Sequence, residues 1–112
     1  MAKIKTVAEL HQMAQQLQMQ AFQPFGTFST PKDEIVNLLP ADLAWDYDMA
    51  IIGSNGRAIT IAIDDPENSH KEEVSDFIRE AKYVAVFYLT TSDDLTNILK
   101  VVHPHEEVEL KP

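Results

Sequence analysis

Apolar positions along the chain change period several times, and each change marks an element. Val7, Leu10, Ala14, Leu17 and Ala21 recur every three and four residues, with Gln12, Gln15, Gln16, Gln18 and Gln20 between them. That is a helix with a narrow apolar seam. Thr6 with Glu9 three residues on predicts a capping box at its start. The seam is too short to favour a coiled coil, so the helix is expected to dock on the domain. Residues 21–29 break the pattern with Pro24 and Gly26. Their rings, Phe22, Phe25 and Phe28, either staple the helix to the core or form a partner-binding patch.

Thr30-Pro31 predicts an N-cap followed by proline at the first helical position, where a missing N–H costs nothing. Asp33 and Glu34 suit the positive helix end, and Ile35, Leu38 and Leu39 form the buried stripe. Pro40 interrupts this helix, and a short helical turn over residues 41–47 follows.

Residues 49–53 and 57–63 alternate with period two around Ser54-Asn55-Gly56, which predicts a hairpin because Asn-Gly tolerates positive φ. Ile59, Ile61 and Ile63 face one way, and Ala58, Thr60 and Ala62 the other. After the turn at residues 64–68, Ser69 and Glu72 predict a second capping box, and Val74, Phe77, Ile78 and Ala81 one face of a helix. Residues 82–89 read as a strand covered on both faces, completing a strand-helix-strand crossover. Thr91 caps a last helix with the stripe Leu95, Ile98, Leu99 and Val102, which Pro104 stops. The expected fold is α/β bordering on α+β: a small mixed three-stranded sheet with a hairpin and a βαβ crossover, packed by helices. The expected organisation is a helix and connector over 1–29, one domain over 30–103 and a flexible tail over 104–112.

Composition narrows the function. The 112 residues carry 18 acidic and 9 basic side chains, a net charge of −9, which repels phosphate backbones and argues against nucleic acid as a partner. Without cysteine there is no disulfide, thiolate nucleophile or thiolate-held metal. No cofactor is expected. No apolar run resembles a signal peptide or reaches the roughly 18–20 residues that cross a bilayer, so a cytoplasmic protein without membrane insertion is expected.

Candidate chemistry is sparse. Asp64, Asp65 and Glu67 lie where a strand ends and a helix begins, a place where α/β proteins hold ligands or cations. The ordinary reading is that they satisfy backbone amides of the turn. Trp45 and Tyr47, flanked by Asp42, Asp46 and Asp48, suit recognition of a basic partner or simply cover the core. His103, His105, Glu106 and Glu107 have the composition of a metal site, but Pro104 between the histidines favours a solvated tail. His11 and His70 fall on polar helix faces without a catalytic partner. Serines 29, 54, 69, 75 and 92 lack a nucleophile-elbow context, so no enzyme is expected.

The order of elements over residues 30–102, with Leu39-Pro40, the run Ile61-Ala62-Ile63-Asp64-Asp65-Pro66 and the Thr91-capped acidic helix, resembles the N-terminal domain of type II secretion and type IV pilus assembly ATPases. The resemblance implies a protein-docking or regulatory module of a secretion or pilus machine, whose partner would be an assembly-platform or motor component. A second copy of the chain is a further partner to consider. The chain lacks the Gly-x-x-x-x-Gly-Lys-[Ser/Thr] phosphate loop, since its glycines are Gly26, Gly53 and Gly56, so ATPase activity does not carry over. A branch of the family binds cyclic di-GMP through motifs built around Arg-Leu-Gly, absent here. That leaves a small-ligand sensor, for a cyclic dinucleotide, a nucleotide or a cation, as the alternative reading.

Overall fold

The computed structural model describes residues 3–22 and 31–104. Along the chain run α1 (Val7–Leu17), α2 (Asp33–Val36), α3 (Ala41–Tyr47), β1 (Met49–Asn55), β2 (Ala58–Ile63), α4 (Lys71–Glu80), β3 (Val84–Leu89) and α5 (Ser92–Val102). The strands form one sheet in the order β1-β2-β3. β1 and β2 are antiparallel, while β3 runs parallel to β2 after the α4 crossover. This is the mixed three-stranded α+β arrangement expected from the period changes.

The hairpin forms one residue later than Ser54-Asn55-Gly56 suggests. β1 continues through Asn55, which pairs with Ala58, and Gly56-Arg57 make the turn. Gly56 takes φ +64° there, a conformation glycine adopts at no steric cost. Ile52 has no opposite residue, because the register shifts between Ile51 and Gly53. The extra residue bends the strand.

Register explains the core. Met49, Ile51, Ile59, Ile61, Ile63 and Leu89 share one sheet face, and each is 0 % exposed. At roughly 1.5–3 kcal/mol per fully buried aliphatic side chain, this layer outweighs local propensity. The opposite face buries Ala50 and Ala62 but leaves Val84 60 % and Val86 38 % exposed. β3 is thus an edge strand with one face partly open, not a strand covered on both faces. Its neighbours on β2 are the small residues Ala58 and Thr60, which project too little to cover the valines.

Helix starts follow capping chemistry where the side chain can reach. Thr6 and Glu9 close the predicted box, and Thr91 accepts from the Asp94 amide at 3.2 Å. Ser69 does not cap: α4 begins at Lys71 with His70 in the cap position, and the His70 N–H goes to Asn68 Oδ1 at 2.8 Å. The helix after Pro31 also starts late, with Lys32 in the cap position and a single turn over α2. Thr30 lies outside the described residues.

The N-terminal segment is tied to the sheet at two places. Ile4, 2 % exposed, donates its N–H to Asp64 O and accepts from the Ser92 N–H, both at 2.7 Å. Beyond α1, Leu89 donates to Gln20 O at 2.8 Å, and Phe22 donates to Leu89 O at 2.7 Å. Leu10 is fully buried between these ties, so α1 docks through its seam. The C-terminal end corrects another expectation. His103 is 2 % exposed at the end of α5, so it belongs to the core and not to a solvated tail. Residues 105–112, the rest of the expected tail, lie outside the described residues.

Candidate functional site

At the ends of β2 and β3, opposite the hairpin turn, the loops gather most of the polar residues singled out in the sequence. Asp65 accepts the Glu67 N–H at 2.9 Å, and Asn68 donates from Nδ2 to Tyr47 O at 2.7 Å. Lys71 Nζ donates to the Pro66 carbonyl. The acidic turn is therefore built largely to hold itself and to join the end of α3. Tyr47, Asp48, Asp64, Asp65, Glu67 and His70 line one cleft of about 200 Å³ together with Lys3 and neighbouring residues.

Asp64 lies deepest among these acids, at 3 % exposure. Its Oδ2 accepts the Ser92 hydroxyl at 2.8 Å and stands 4.0 Å from Lys3 Nζ, while its buried Oδ1 has no hydrogen-bond partner. Burial pushes the Asp64 carboxyl above its ordinary pKa, although Ser92 and Lys3 pull the other way. Lys3 donates to Asp48 Oδ2 at 2.9 Å, and that bond raises the Lys3 pKa. Asp48 is the left-handed residue that ends α3, at φ +55°, which points the chain into β1.

Tyr47 and His70 stack with ring centroids 3.8 Å apart and planes 2° from parallel. The Tyr47 hydroxyl donates to Glu73 at 2.8 Å, which raises its pKa, and His70 Nδ1 stands 3.6 Å from the same carboxylate. Tyr47 thus joins the acidic turn, whereas Trp45 does not. The Trp45 indole is half-buried and donates to His103 O at 2.6 Å, near β1. Phe22 is half-buried against the core beside Leu89, and Phe25 and Phe28 lie outside the described residues.

Among the described residues no three His, Cys, Asp or Glu side chains converge to hold a metal ion. The buried histidine is committed elsewhere: His103 Nε2 accepts the Ile51 N–H. Sequence reasoning missed Lys3 and Ser92 as parts of this region and placed Asn68 in the turn without a role. No local pattern marks Lys3, which the Ile4 backbone pairing brings to the cleft. Asn68 carried a usable signal, since Asn in an Asp-Pro turn commonly binds an amide two residues on.

The geometry defines a small α+β domain whose strand-end cleft is acidic. No family model matches the sequence, and no curated protein does. Solved structures share the fold. The chain is similar to MshE, in a structure with cdg, at TM-score 0.72 and 21 % identity, over 88 % of this chain and 69 % of that one. It is similar to the N-terminal domain of XpsE at TM-score 0.63 and 14 % identity, over 87 % and 66 %. The chain thus spans about two-thirds of each. The fold is the one implied by the resemblance to N-terminal domains of secretion and pilus assembly ATPases. Among the described residues no helix is long and apolar enough to cross a membrane.

Proposed function

We propose that this chain is a non-catalytic docking or regulatory module of a bacterial secretion or pilus machine, working in the cytoplasm and binding a protein component of that machine. The observation that carries the reading is the shared fold with the XpsE N-terminal domain. The chemistry at the strand ends agrees with it: Asp65, Asn68 and Ser92 are engaged in holding loops together. Phe22, Phe25, Phe28, Trp45 and Tyr47 are the side chains proposed for contact. Affinity capture from the native cytoplasm, followed by reconstitution with the purified protein recovered, tests this. Recovery of an assembly-platform or motor protein that rebinds as a purified pair is expected; failure of both to bind under gentle conditions removes the reading.

The likeness to MshE, solved with cdg, favours a second reading, a sensor for a cyclic dinucleotide. The strand-end cleft suits such a ligand poorly, because its carboxylates repel phosphate. The only arginines, Arg57 and Arg79, contact Lys82 O and Asp76. Calorimetric titration with a cyclic dinucleotide decides the matter, and absence of heat at millimolar ligand ends this alternative.

A further inference from the structure

We infer that the strand-end cleft recognises a basic side chain of a protein partner, an ammonium or guanidinium, and that Lys3 of this chain occupies it in cis. The inference rests on the docking reading and names the chemistry of the partner. Five carboxylates, from Asp46, Asp48, Asp64, Asp65 and Glu67, line the cleft against the single ammonium of Lys3. Asp64 supplies the feature that separates this cleft from an ordinary acidic surface. It is 97 % buried and held by Ser92 through Oδ2, while Oδ1 is enclosed without a hydrogen-bond partner, so a donor must reach past the rim of the cleft to satisfy it.

Lys3 shows what kind of donor fits. Its Nζ reaches Asp48 at 2.9 Å but stands 4.0 Å from Asp64 Oδ2, beyond hydrogen-bond distance, and its side chain remains 45 % exposed. Lys3 therefore pairs with Asp48 at the rim and only approaches Asp64. An exposed pair of this kind is weak and exchangeable. The parallel rings of Tyr47 and His70 also line the cleft, and a planar guanidinium stacks on such a face while donating in-plane to carboxylates. A metal ion suits the site less, since no three ligating groups converge among the described residues. An anion is repelled.

The test is an amide-resolved NMR titration of the full chain with N-acetyl-arginine methylamide at constant ionic strength. Saturable shifts are expected at Asp48, Asp64, Asp65 and His70. Lys3→Ala removes the competing ammonium while leaving the Ile4 backbone pairing in place, and binding should tighten by about three- to fivefold. Asp48→Asn keeps a residue that tolerates the left-handed conformation and should weaken binding by about the same factor. Shifts that never saturate, an affinity indifferent to Lys3→Ala, or calcium producing the same shifts at lower concentration would each overturn the inference. If a machine component is captured and rebinds while the arginine probe does not bind, this inference fails and the docking reading stands.

Discussion

The backbone N–H of Ile51 donates to Nε2 of His103 at 3.2 Å, across 52 positions of sequence. The imidazole must be neutral to accept it, and burial lowers the His103 pKa from 6.5 to about 4. The unfolded chain therefore binds more protons than the folded one between those values, so stability is full above about pH 6.5 and falls as pH drops towards 4. The loss should approach about 3 kcal/mol. Urea unfolding measured from pH 4 to 7 checks it: His103→Gln should flatten this part of the profile, and His103→Leu should also cost about 1–3 kcal/mol by orphaning the Ile51 amide.

Asp64 has the opposite sign. Burial raises its folded pKa above 3.8, so its favourable contribution is present below the unfolded pKa and disappears as pH rises through the folded one. Asn at this position still accepts the Ser92 hydroxyl but carries no charge. Asp64→Asn should raise stability at pH 7 by on the order of 1 kcal/mol and leave it unchanged near pH 3.5. A destabilised variant at pH 7 would mean that Lys3 compensates the buried charge fully.

Two glycines separate backbone freedom from space. Neither Gly53 nor Gly56 would place a Cβ within 4 Å of other atoms, but only Gly56 has positive φ, +64°. Gly56→Ala should therefore destabilise by about 1 kcal/mol. Gly53→Ala should lie within about 0.5 kcal/mol of the parent. Thermal unfolding of the two variants side by side measures the difference.

The two sheet faces predict unequal costs for neighbouring positions. Ile61 is fully buried, so Ile61→Ala should cost about 2–5 kcal/mol. Val84 is 60 % exposed on the edge strand, and Val84→Thr should change stability by less than about 0.5 kcal/mol. Chemical denaturation distinguishes them, and a large effect at Val84 would show that this face is covered in solution.

The capping box at α1 carries a local prediction. Thr6 Oγ1 accepts from Glu9 N at 3.1 Å, and Glu9 Oε1 accepts from Thr6 N at 3.3 Å. Thr6→Ala should cost about 1 kcal/mol. Hydrogen exchange should quicken in α1 while the β2 amides keep their protection.

What the chain specifies by itself is local. The alternation of Ile59, Ile61 and Ile63, the periodic stripe of α5, the caps at Thr6 and Thr91 and the turn at Gly56 depend on residues a few positions apart, and the hydrophobic period carries that information. Tertiary structure decided the rest. Ser69 resembles a cap in sequence, but Asn68 holds the backbone so that the helix starts later. His103 reads as tail composition until α5 packs beside β1 and the bulged strand offers it an amide. The cleft combines Lys3, Asp48 and Asp64 because Ile4 bonds to the ends of β2 and α5. Those contacts join segments tens of residues apart, and their free energy comes from burial and long-range pairing, which no short window of sequence encodes.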